Sequence, residues 1–294
     1  MTFTLAHLSD IHLAPLPRPR RTELFGKRVT GYFNWRRKRR FVHDPAVLAA
    51  IVADMKAQGA DHIAVAGDII NIGLKAEYAP GHDFLAGLGP ASDVSFVPGN
   101  HDIYVPASAD WAAEAWGDFM RGDAGESFPY VRRRGPLAII GVSTGIATAP
   151  FQATGRVGPR QLDALAGILD ATRAAGLFRV VLMHHPPVSA SPAHKRLLDA
   201  DALMIAIARH GAELLLHGHD HRDMLNWLPG PEGSRVPAVG VPSASAKPGM
   251  DKDDAGYHLY RIDGEAGAWR CEMVARAMGG DGAVREVKRV RLTS

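Results

Sequence analysis

A single cysteine, Cys271, stands among 294 residues, which excludes an internal disulfide framework and any thiolate-clustered zinc or iron–sulfur site. Metal chemistry in this chain has to use nitrogen and oxygen ligands. No uncharged stretch reaches the roughly 18 apolar residues needed to cross a bilayer, and the first ten residues carry no basic leader ahead of an apolar run. The expectation is a cytoplasmic protein, with or without peripheral membrane contact. Aromatics are sparse at 7%, yet 46% of the residues are hydrophobic and 22% charged, a globular balance that sets aside disorder and fibre repeats. The length fits one domain over residues 1–294 with excursions from it.

Acidic residues are missing from one segment in particular. Residues 18–40 hold ten Lys/Arg against the lone Glu23, a net of +9, whereas the whole chain is only +3, so the remainder carries −6. The basic character is therefore local and does not mark the whole surface as a nucleic-acid binder.

Short β-branched or Leu-rich runs alternate with Ala-rich segments of helical period, an α/β pattern. Strands are expected at 2–8, 62–66, 93–97, 137–142, 178–183 and 213–216, then at 224–228, 235–241, 256–262 and 268–275 in a β-rich C-terminal part from about 222. Helices are expected at 45–58, 76–88, 109–120, 159–175 and 194–210, the first with Asp44 as N-cap and Pro45 at its first position. The β-rich ending predicts mixed rather than purely parallel sheets.

The chemistry lies just past the end of each strand, since ligands of open α/β sheets collect there. The first strand runs into Asp10-Ile11-His12, the second into Gly67-Asp68-Ile69-Ile70-Asn71, and the third into Gly99-Asn100-His101-Asp102. Later ones run into His184-His185-Pro186 and Gly218-His219-Asp220-His221. On an extended backbone Asp10 and His12 would share a side, and so would His219 and His221, whereas at most one of His184 and His185 points inward. A carboxylate such as Asp68 can bridge two cations, Asn100 offers a neutral amide oxygen, and imidazoles suit Zn, Mn, Fe or Co better than Mg or Ca. Each block alone is an ordinary turn; the agreement of five is the signal.

These ordered blocks, D-x-H, G-D-x-x-(D/N), G-N-H-(D/E), H near a proline and G-H-x-H, resemble the calcineurin-like metallophosphoesterase superfamily. Residues 67–73 with Glu77-Tyr78, together with Met183–Pro187, look most like the bacterial class III phosphodiesterases that act on cyclic nucleotides or glycerophosphodiesters. The resemblance implies a four-layer α-β-β-α sandwich with two mixed β-sheets flanked by helices. It also implies two metal ions, Mn, Fe, Zn or a mixed pair, one held by Asp10, His12, Asp68 and His221, the other by Asp68, Asn100, His184 and His219. Two cations about 3.5–4 Å apart lower the pKa of a shared water, so that hydroxide attacks phosphorus in line. His101 would then stabilise the phosphoryl oxygens or protonate the leaving alkoxide. Related phosphatases place Asp where this chain has Asn71, which would orient the His101 ring through its amide oxygen but adds no charge.

The expected activity is phosphodiester hydrolysis. Alternatives are a membrane-associated pyrophosphatase of a nucleotide-sugar lipid of the UDP-diacylglucosamine type, a phosphomonoesterase, and a non-catalytic scaffold. Residues 18–41 interleave Leu24, Phe25, Val29, Tyr32, Phe33 and Trp35 with the basic side chains. That pattern suits an anionic membrane surface or a lipid-linked substrate, a phosphate grip beside the site, or a solvated lid. No large downstream DNA-binding region is evident, which disfavours a nuclease; a homo-oligomer stays open.

Overall fold

Alternation along the first strand already divides the chain between two cores. The computed structural model describes residues 2–293. In chain order its elements are β1 (Phe3–Leu8), α1 (Lys27–Asn34), a π turn (Trp35–Arg39), α2 (Arg40–Val42), α3 (Pro45–Ala57), β2 (His62–Val65), α4 (Lys75–Leu88), β3 (Val94–Phe96), α5 (Ser108–Trp116), β4 (Tyr130–Arg134) and β5 (Leu137–Gly141). They continue as α6 (Pro159–Ala174), β6 (Phe178–Leu182), α7 (Ala200–His210), β7 (Leu214–His217), β8 (Met224–Pro229), β9 (Arg235–Gly240), β10 (Gly256–Asp263), β11 (Arg270–Met278) and β12 (Val284–Arg291).

Two six-stranded sheets form, in the orders β12-β11-β10-β1-β2-β3 and β4-β5-β6-β7-β9-β8. Both are mixed: β1, β2 and β3 run parallel, as do β5, β6, β7 and β9, while β10–β12, β4 and β8 pair antiparallel. Leu5, Ala64, Tyr260 and Met273 of the first sheet meet Ile139, Val180, Leu216 and Val239 of the second in a dry layer. On the outer face of the first sheet, Leu8, Val65 and Phe96 pack with Leu48 and Ile51 of α3, Leu85 of α4 and Trp116 of α5. Ile140, Val181 and Leu215 pack likewise with Leu165 of α6 and Ile207 of α7. The expected α-β-β-α sandwich results, and the C-terminal strands extend the sheet that β1 begins. No described helix is long and apolar enough to cross a membrane.

Two strands fall outside the sequence expectation. In β4 three consecutive arginines suggest a surface, but Arg132 is buried and donates to the carbonyls of Ala91, Val94, Asp118 and Arg121 at 2.6–2.8 Å. Buried guanidinium cost is offset there by hydrogen bonds. β12 is a charged edge strand, the composition that discourages edge-to-edge pairing. The helix expected at 194–210 starts only at Ala200, because 193–195 form a single tight turn and Leu197 bridges to Gly155.

The basic segment is helical from Lys27 onward. Leu24, Tyr32 and Trp35 pack on Leu16, Ile72, Leu74 and Tyr104, so half of its interleaved apolar residues dock the insertion onto the protein. Phe25, Val29, Phe33 and Phe41 stay exposed.

Candidate metal centre

The parallel strands of both sheets end at one edge, where the five blocks meet. Past β1 the chain stays stitched to the loop after β2: Asp10 N donates to Gly67 O at 2.9 Å, His12 N to Asp68 O at 3.0 Å and Leu13 N to Ile69 O at 2.8 Å. The expected extended backbone is absent at this point. Asp10 (φ 54°), His12 (φ 43°), Asp68 (φ 57°), His219 (φ 69°) and His221 (φ 50°) are all left-handed, and only Phe151 and Glu232 share that conformation among the described non-glycine residues. Convergence thus comes from strained turns rather than strand alternation, and strain of this kind concentrates at functional sites.

Close approach requires glycine at two places. A Cβ on Gly99 would lie 2.2 Å from Asp68 Oδ1, and one on Gly218 would lie 1.8 Å from Ser9 Oγ and 2.6 Å from Asp10 Oδ2.

Three groups of ligand atoms close enough to share an ion result: Asp10, His12 and His221; Asp10, Asp68 and His184; and His184, His185 and His219. His221 Nε2 lies 3.2 Å from Asp10 Oδ1, and His184 Nε2 lies 3.3 Å from Asp68 Oδ2. Each imidazole spends its outward nitrogen on an oxygen. His12 Nδ1 faces Ile70 O at 3.2 Å, His184 Nδ1 faces Ala66 O, His221 Nδ1 faces the Asp251 carboxylate, and His219 Nε2 faces Lys195 O at 2.7 Å. Those bonds leave the other ring nitrogen facing the centre, where it can ligate a metal once it carries no proton. Asp10 Oδ1, His12 Nε2, His184 Nε2 and Asn100 Oδ1 are buried without a hydrogen-bond partner among the described residues. Four unpartnered polar atoms, three of them in these ligand groups, fit a centre completed by cations. His185 joins the third group by distance, but Thr144 Oγ1 at 2.8 Å and Ala153 O at 3.3 Å occupy both its nitrogens, making it a wall.

Charge is distributed unevenly over these groups. Burial opposes charge on His184 and His221, but Asp68 and Asp10, helped at His221 by Asp251, outweigh it and raise the two to about 10 and about 9. Burial also disfavours the charged form of Asp10, yet His221 brings it down to about 2. His219 falls to about 4 through burial and the charge of His184.

His101 sits at the rim. Its Nδ1 donates to the main-chain carbonyl of Asn71, while the Asn71 amide turns away and donates from Nδ2 to Leu13 O at 2.7 Å. The expected orienting amide oxygen is therefore replaced by a backbone oxygen, independent of the side chain at 71. Glu77 secures that carbonyl's segment by accepting from the amides of Asn71, Ile72 and Leu74. Burial and the neighbouring Arg39 hold His101 well below the usual imidazole range, so it is neutral near pH 7.

Two participants, Arg39 and Asp251, carry no distinctive sequence signal, and a third, Asp102, stands in its block without an assigned role. Arg39, one of ten basic residues in the insertion, is aimed inward by the π turn and brings Nη1 to 3.1 Å from His101 Nδ1. Asp251 supports His221 from a distant loop. Asp102, which closes the third block, accepts the amides of Asp68, Ile69, Ile70 and Gly99.

Two cavities meet at this centre. One of about 320 Å³ is lined by Asp68, His219, His221 and Asp251, among others, and one of about 790 Å³ lies under α1; Asn34, Arg39, Asn100, His101, Ala153 and Lys195 line both.

The family model for calcineurin-like phosphoesterases matches residues 3–223. No curated protein matches the sequence significantly. Among solved structures, a dimetal phosphatase from Danio rerio is 12% identical over 99% of this chain and 98% of its own, with a TM-score of 0.63. A purple acid phosphatase from yellow lupin is 12% identical over 99% of this chain and 54% of its own, TM-score 0.61. A 5'-nucleotidase precursor from Thermus thermophilus is 18% identical over 93% and 54%, TM-score 0.50. At such identities these likenesses speak for the fold.

Proposed function

Because the chain belongs to the calcineurin-like phosphoesterase family and is a phosphoester hydrolase, we propose that it cleaves phosphodiesters at a centre for two metal ions. Asp10, His12, Asp68 and His221 would hold one ion and Asp68, Asn100, His184 and His219 the other, with Mn, Fe or Zn suited to the imidazole-rich donor set. The four buried polar atoms left without hydrogen-bond partners carry this reading. Bound there, the ions supply Lewis acidity, which lowers the pKa of water and neutralises charge on phosphoryl oxygens.

The protein's own groups do the rest. Asp68 accepts the His101 amide at Oδ1, 2.7 Å away, which keeps His101 beside the reacting phosphate. His101, neutral and with Nδ1–H spent on Asn71, offers Nε2 to take up a proton from solvent and deliver it to the leaving oxygen. Arg39 supplies the permanent positive charge that a neutral His101 does not, placed to bind a non-bridging oxygen. The junction of two cavities at Asn100 and His101 gives a phosphate room for two organic arms, which favours a diester. The strands after residue 222 belong to the same catalytic domain, since β10 pairs along β1.

The test compares bis-p-nitrophenyl phosphate with p-nitrophenyl phosphate on protein reconstituted with Mn²⁺. The diester is expected to give the higher kcat/KM; a preference for the monoester would assign the protein as a phosphomonoesterase, and turnover of neither would favour a scaffold.

A further inference from the structure

The larger cavity has a composition the hydrolytic centre alone does not require. Val29 and Phe33 of α1 line it together with Tyr104 and Phe151, and Val29, Phe33 and Phe151 are 50%, 59% and 79% exposed. Among the described residues no carboxylate lines it, whereas Lys27, Arg37, Arg39 and Lys195 do. Lys27 is itself buried, its ammonium 2.6 Å from Thr148 Oγ1 and 4.5 Å from the centre of the Tyr104 ring. Phe151 adds an independent sign, because a bulky residue at φ 65° is rare, and here the strained position holds an aromatic ring in water. Strain and exposure at one residue find a reason if a ligand covers the ring. A concave, largely apolar wall with a few placed charges is the usual form of a small-molecule site.

We propose that this cavity is the subsite for an apolar arm of the diester, an alkyl or aryl ester group whose phosphate lies at Arg39 and His101; it rests on the phosphodiesterase reading. The apolar wall selects the arm. The cationic rim selects the anion attached to it. Six shared lining residues make the two cavities continuous, so one molecule can occupy both.

The test uses Mn²⁺-reconstituted full-length protein and p-nitrophenyl methyl, butyl and octyl phosphates below their micellar concentrations. Leaving group and charge are then constant. A fully buried methylene contributes about 0.8 kcal/mol, roughly fourfold in kcat/KM, so a rise of about tenfold or more from methyl to octyl is expected. F33D and F151D should cut the octyl-to-methyl ratio about tenfold, while I205D, an exposed position on α7 outside the cavity, leaves it unchanged. Calorimetry with octylphosphonate against methylphosphonate reads the subsite without turnover and should show tighter octyl binding with a negative heat-capacity change. If diesters are hydrolysed with no dependence on chain length, the proposal is wrong while the phosphodiesterase reading stands. If no diester is hydrolysed, that reading fails, and equal affinity for the two phosphonates then overturns the subsite as well. A flat profile together with binding to phosphatidylglycerol vesicles that F33D abolishes would assign this face to a membrane instead and overturn the proposal.

Discussion

Asp102 accepts the backbone amide of Asp68 at 2.7 Å from the same oxygen that accepts Gly99 N at 2.8 Å, so one buried carboxylate ties the loop after β2 to the loop after β3. Its other oxygen takes the amides of Ile69 at 2.9 Å and Ile70 at 3.3 Å. Burial and the charge of Asp68 push its pKa up to about 7, against the pull of these amides. The result is a fixed spacing between Asp68 and Asn100 before any ion arrives.

Removing that tie leaves buried donors without partners. Asp102→Ala is expected to lower stability on the order of 3–5 kcal/mol, the scale for breaking a buried charged network, and to weaken metal binding with it. Thermal unfolding and a metal titration check both; a variant with the wild-type Tm and metal affinity would show that the loops hold themselves.

His101 lies beside the ligands, without being placed among them, and its orientation comes from a main-chain oxygen. His101→Ala should therefore keep full metal content yet lose roughly 10²–10⁴ in kcat, the scale of acid–base help. Asn71→Ala should lose far less, because the backbone carbonyl remains. Equal losses in the two variants would return the orienting role to the side chain.

The pH dependence has a definite sign. His184 and His221 are raised from 6.5 to about 10 and about 9, so in metal-free protein their contribution to folding stability is complete below pH 6.5 and disappears as pH climbs through 9–10. A cation needs both rings deprotonated, and metal affinity should rise by up to about tenfold per pH unit for each proton expelled. At pH 7, calorimetric titration in buffers of different ionisation enthalpy should report about two protons released per loaded centre. Asp251→Asn, which removes the carboxylate behind His221, should weaken metal affinity by about 10–100-fold. Heats that do not vary with the buffer would refute the protonation scheme.

The ends of the strands could be read from sequence because each β-branched run stops at a polar block, and the alternation of runs with helical segments carried the α/β class, whereas the four-layer order came from the family resemblance. What could not be read was the turn geometry. Alternate spacing suggests that Asp10 and His12 share a strand face, whereas left-handed backbone brings them together. Arg39 is hidden by its nine basic neighbours in the insertion, since composition does not say which of them the π turn aims inward. Asp251 comes from a loop with three acids in residues 251–254 and a lysine between them, where nothing in spacing marks its pairing with His221. β4 and β12 escaped because charge outweighed their period-two pattern.

The most direct measurement is the metal content of reconstituted wild-type and Asp68→Ala protein by elemental analysis, with activity on bis-p-nitrophenyl phosphate alongside. Wild type should hold two ions per chain, and loss of the shared carboxylate should remove both and nearly all turnover. Full metal content in Asp68→Ala, or none in the wild type, would contradict the account.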